Sequence, residues 1–155
     1  MALTTQRIGS AIFVKSYDHD PGATTAVLLS PDGGTTPVAI DMKDYGAIGV
    51  LVRPTIVGGN GITLVRIMAY SDSACTADAA AIKTSGAIQA DALADNVWLE
   101  ATAEEIAQIA DAAGVSLRYV SVEITTSTNT DEANVTIVGW QPRFPRDGLT
   151  ATAIT

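Results

Sequence analysis

The sequence predicts a mainly β protein: an antiparallel β-sandwich or β-barrel-like domain with one short α-helix, about 102–113, and extended N- and C-terminal arms. Three observations predict it. Short runs rich in Val, Ile and Thr alternate between two faces, with Gly, Pro, Asn and Asp between them. One segment alone, Thr102–Ala113, carries a helical period with stop signals at both ends. The two chain ends break the alternation, the C-terminal one with Pro142 and Pro145. This divides the chain into an arm (1–22), a β-sandwich domain (23–141) and an extended tail (142–155).

The arm holds one apolar run, Ala11-Ile12-Phe13-Val14, and then the turn-forming Asp18-His19-Asp20-Pro21-Gly22. Thr24–Ser30 is a strand candidate. Pro31-Asp32-Gly33-Gly34 is a turn, and Thr36–Met42 returns as the second strand of a hairpin.

Ala47–Val52 is a strand with Ile48, Val50 and Val52 on one face and Ala47, Gly49 and Leu51 on the other. Val57-Gly58-Gly59-Asn60-Gly61 supplies residues able to take positive φ and reads as a hairpin turn. Ile62–Tyr70 follows with both faces largely apolar, which places it centrally or under a partner. Ser71–Asn96 is ambiguous. Ala77–Ile82 fits a helical turn, and Ala80–Ile88 fits a strand broken at Gly86. Val97–Glu100 is a short strand.

Thr102-Ala103-Glu104-Glu105 is a capping box: the Thr102 hydroxyl accepts from the Glu105 amide and the Glu105 carboxylate reaches back to Thr102. Ile106, Ile109, Ala110 and Ala113 then form one apolar stripe, and Gly114 stops the helix. Leu117–Thr126 and Asn134–Trp140 flank the polar turn Thr128–Glu132 and read as a final hairpin. Gln141–Arg146, with its two prolines, reads as an extended exit and not as a central strand.

The chain has 155 residues, the size of one domain, and can bury a core without a disulfide or metal. Much of the apolar fraction is Ala and Val and aromatics are few, so a thin core, or one completed by neighbouring subunits, is expected. The net charge of −8, with nine scattered Lys and Arg, argues against a nucleic-acid partner. The acidic balance suits a basic partner surface. No secretory signal is visible, and no apolar run approaches the ~20 residues of a membrane helix. A chain made and kept soluble in a cytoplasm is expected.

Candidate chemistry is sparse, with one His and one Cys in the whole chain. Cys75 has no neighbouring His to activate it and reads as a small, partly buried thiol. Asp18-His19-Asp20 lacks the spacing of a calcium loop and reads as a solvated turn. Gly58-Gly59-Asn60-Gly61 lacks the Lys-Ser/Thr of a phosphate loop. Glu104 and Glu105 diverge on a helix. Trp98 and Trp140 read as core anchors, with a sugar-stacking platform as the alternative. No nucleophile–base pair or metal set can be assembled, so no enzyme, cofactor, metal or small-molecule substrate is expected.

An arm, then a Thr-, Ala- and Gly-rich β-domain, one capped helix and the terminal "LRYVSVEITTSTNTDEANVTIVGWQPRF" resemble the small structural proteins of tailed bacteriophages. The closest likeness in style is to capsid decoration (cement, head auxiliary) proteins. The resemblance implies a homo-oligomer, a trimer being favoured, that binds the major capsid protein on the virion exterior and stabilises the shell. It implies shell contacts in the terminal segments, at Arg7, Ile12 and Phe13 and at Arg143, Phe144 and Arg146. A neck, tail or spike component is the alternative within the virion, and a carbohydrate-binding β-sandwich module the alternative outside it.

Overall fold

The computed structural model describes residues 13–20, 24–30 and 36–142, with Gln141 and Pro142 described in backbone only. Two antiparallel sheets face each other. The first has the order β1 (Phe13–His19), β9 (Glu132–Pro142), β4 (Tyr45–Ile56), β7 (Val97–Thr102). The second has the order β2 (Val27–Leu28), β8 (Tyr119–Thr126), β5 (Ile62–Tyr70), β6 (Ala80–Thr84), with β3 (Ile40–Asp41) also on β8. The predicted fold class holds, in its sandwich form.

Alternation builds the core. Ile48, Val50, Val52, Val135 and Ile137 point inward from the first sheet, and Val65, Ile67, Val120, Val122 and Ile124 from the second, each 0 % exposed. Burying each such side chain contributes roughly 1.5–3 kcal/mol. A register shift between Ile62 and Leu64 turns Ile62 into this same core, against the simple parity of the strand.

The helix α1 (Ala103–Ala113) forms as the capping box predicts. The Thr102 hydroxyl accepts from the Glu105 amide at 3.2 Å, and Glu105 Oε2 accepts from the Thr102 amide at 2.9 Å. Gly114 ends it at φ 68°. Ile106 and Ala110 are buried, and Glu105 pairs with Lys83, tying the helix to β6.

Four connections differ from the sequence reading. Within the expected arm, Phe13–His19 pairs with β9 as an edge strand, and His19 is 2 % exposed at its end, not in a solvated turn; residues 1–12 of the arm and 143–155 of the tail lie outside the described residues. Lys15 and Asp18 interrupt the apolar run there and mask the strand. Thr24–Met42 is not a hairpin. β2 and β3 pair in succession along the same edge of β8, and between them Val38 N–H donates to Leu29 O at 2.8 Å. Residues 57–61 and 127–131 are not hairpin turns either. Each joins one sheet to the other, β4 to β5 and β8 to β9. Finally, β9 is central and runs on to Pro142, which pairs with Tyr45 beyond the described reach of β1.

The two inter-sheet arches are locked by Asp131, which is 0 % exposed. Its Oδ1 accepts from the amides of Gly58 (2.6 Å) and Gly59 (3.2 Å). Its Oδ2 accepts from Ser127 N (3.1 Å), Ser127 Oγ (2.9 Å) and Thr128 N (2.8 Å). Burial alone would raise this carboxyl, but the amides of Gly58 and Thr128 and the hydroxyl of Ser127 hold it at about 2. Gly61 completes the crossing with φ +64°, and a Cβ there would lie 1.9 Å from Ala90 O.

The ambiguous stretch resolves as β6 plus loops. The loop after β5 is pinned by Asp72, whose Oδ1 accepts from the amides of Thr76 and Ala77, both at 2.9 Å. It carries Cys75 onto Met68 and Tyr70, on the outer face of the second sheet. The chain itself therefore covers this part of β5, where the sequence left room for a partner.

Candidate functional site

The first sheet has no comparable cover over its outer face among the described residues. Registered pairing lays Val14, Val138, Gly49 and Glu100 in one row across β1, β9, β4 and β7. The next row is Ser16, Thr136, Leu51 and Trp98. Trp140 lies on the other side of the first row, opposite Ala47. Val14 is 59 % and Trp98 47 % exposed.

The tryptophans are thus not core anchors. Both stand on the outer face, where their rings close over Gly49: a Cβ there would sit 2.5 Å from Trp98 Cη2 and 2.9 Å from Trp140 Cζ3. Trp98 is fixed further by its Nε1–H, which donates to Glu100 Oε1 at 2.8 Å. Its parity with Glu100 and Thr102 was the signal for an outward position.

The chain enters the first sheet at Phe13, opposite Gly139, and leaves it at Pro142, opposite Tyr45. Residues 1–12 and 143–155 therefore start from the same end of the same sheet. Arg7, Ile12, Arg143, Phe144 and Arg146 lie outside the described residues. Phe13 opens β1. Its ring is half-buried, 5.5 Å from that of Tyr45, and packs on its own domain.

Beyond Trp98, on the far edge from Val14, lies a cleft of about 500 Å³. The turns after β6 and before β7 form its walls. Thr84, Ser85, Gln89, Asp95 and Asn96 are its polar residues, with Ile88 and Leu99 among the apolar ones. Sequence reasoning gave no sign of it, because it depends on how two turns meet.

Arg118 holds Asp41 in a two-pronged pair, Nε to Oδ1 at 2.8 Å and Nη2 to Oδ2 at 2.5 Å, and this hydrogen-bonded guanidinium lowers the Asp41 carboxyl to about 2. Burial pushes the Cys75 thiol up, away from the reactive thiolate. Among the described residues, no three His, Cys, Asp or Glu side chains converge as a metal site requires. No helix among them is long and apolar enough to cross a membrane.

Comparisons with protein-family models, with curated proteins and with solved structures find no match for this chain.

Proposed function

We propose that this chain is a structural virion protein that binds the outside of a tailed-phage capsid and stabilises it without catalysis. The observation that carries the reading is an asymmetry. Among the described residues, the loop after β5 covers part of the outer face of the second sheet, whereas on the first Val14 is exposed and Val138 and Trp140 are partly so, beside the point where both terminal segments depart. A partly open apolar patch beside two chain ends suits a footprint on another protein. The terminal segments add contacts around it, and many modest contacts repeated over a shell sum by avidity.

The partner in this reading is the major capsid protein, reached in the host cytoplasm where both are made. The charge of −8 favours a basic partner surface and guides approach to it. A homotrimer matches threefold positions on an icosahedral shell. The likeness in element order to decoration proteins supports the same role, and the sandwich supplies a rigid mount.

The test is sedimentation with expanded, empty shells of the phage or prophage that carries the sequence. Saturable co-sedimentation, with a trimeric mass by light scattering, supports the proposal. A chain that stays in the supernatant at all concentrations removes it.

A further inference from the structure

We propose that the cleft beside Trp98 is a binding site for a neutral oligosaccharide, on the far side of Trp98 from the shell footprint. Trp98 is an aromatic ring held ready. Gly49 seats it, Glu100 fixes its Nε1, and nearly half of the residue remains in solvent. An ordered indole with open surface offers its π-face to the C–H side of a sugar ring, and little rotamer freedom is lost on binding.

The cleft supplies the complementary polar groups. Gln89 donates its side-chain amide to Asp91 Oδ2 at 2.7 Å, and Asn96 donates its own to Ala94 O at 3.0 Å. An amide tethered by one N–H keeps a second N–H and its carbonyl oxygen for a ligand's hydroxyls. Asp95 is held in place by its own turn: its Oδ2 accepts from the Ala92 amide at 2.9 Å, and its amide donates to Ala92 O at 2.9 Å. Thr84 contributes a hydroxyl at the opposite wall.

The charge of the lining selects the ligand class. No Lys or Arg lines the cleft, and its one ionisable group is the Asp95 carboxylate. A phosphate or an acidic sugar would meet repulsion and no counter-charge. Hydroxyl-rich neutral sugars fit amides, a carboxylate acceptor and a flat ring. The volume, about 500 Å³, falls in the range of small-ligand sites. Trp98 stands on β7, three strands from Val14 on β1, and although its ring meets Trp140 over Gly49, the cleft opens on its other side, between the turns after β6 and before β7.

The experiment uses the full chain carrying Trp140→Phe, so that tryptophan emission reports Trp98 alone. Cellohexaose, chitohexaose, maltoheptaose and a mannan oligosaccharide are titrated, with oligogalacturonate as the acidic control. The expected result is a saturable emission change with at least one neutral probe. Affinity measured by calorimetry should fall at least tenfold in Asn96→Ala and in Trp98→Ala and stay unchanged in Val14→Asp. Asn96→Ala, in an exposed turn, keeps the test valid if Trp98→Ala fails to fold. The proposal is overturned if no neutral probe binds, if binding survives Asn96→Ala unaltered, or if only the acidic control binds.

Discussion

Asp131 Oδ1 accepts the backbone amide of Gly58 at 2.6 Å across 73 residues of sequence, and this bond joins the two arches that turn two sheets into a sandwich. The same carboxylate takes four further donors from Gly59, Ser127 and Thr128. Asp131→Ala should cost about 2–4 kcal/mol, since hydrogen bonds to a charged, buried acceptor are among the stronger ones. Asp131→Asn should cost less. Urea denaturation of the three proteins checks the order.

The same carboxylate sets an acid limit. Its folded value of about 2 lies below the ordinary carboxylate value of 3.8, so the stability it contributes is present above about pH 4. That stability is lost as pH falls through about 2. In Asp131→Asn the loss between those limits should shrink, as thermal unfolding at stepped pH would show. Asp41, also held at about 2 by Arg118, adds to the same window and persists in the variant.

His19 governs a milder range. It is 2 % exposed, neither ring nitrogen has a hydrogen-bond partner among the described residues, and burial lowers its ordinary value of 6.5 against a partial upward pull from Asp20. The unfolded chain then binds the proton more readily, so stability should fall as pH drops below about 6.5. His19→Leu should flatten that slope between pH 7.5 and 5. Hydrogen exchange should place the acid-induced opening in β1 and its partner β9.

Gly61→Ala should be among the most damaging single changes. A methyl group would meet the Ala90 carbonyl at 1.9 Å and sit at φ +64°. Neither the backbone oxygen nor the dihedral can give way cheaply, because Ile62 and Ala90 also exchange two amide bonds at 3.0 and 3.1 Å. A loss of about 2–4 kcal/mol is expected from the clash and the left-handed backbone together. Gly49→Ala should cost less, since Trp98 can swing outward, and should change the tryptophan fluorescence.

Removing the helix cap by Thr102→Ala should cost about 1 kcal/mol. Its effect should be visible as fraying of the first turn of α1 in amide exchange, with the sheets unchanged.

The helix and the inner face of β4 were legible in the sequence because their signals are local: a capping box, a stripe and strict alternation at Ile48, Val50 and Val52. The partition into sheets was not. Val57–Gly61 and Ser127–Asp131 carry turn residues, which specify a reversal but not whether the next strand joins the same sheet. That choice is made by Asp131 and Gly61 through partners far along the chain. The partly open face of the first sheet was missed for a related reason. Two tryptophans invite burial on hydrophobicity alone, while parity with Glu100 and Thr102 placed Trp98 outside.

The proposed docking on a shell would use the β1–β9 side of the first sheet. The most direct measurement is co-sedimentation of the wild-type chain and Val14→Asp with expanded empty shells. Val14 is 59 % exposed, so the substitution should leave the fold intact while placing a charge in the patch. The account predicts saturable binding of the wild type and at least tenfold weaker binding of Val14→Asp. Absence of wild-type binding, or equal binding of both, would contradict it.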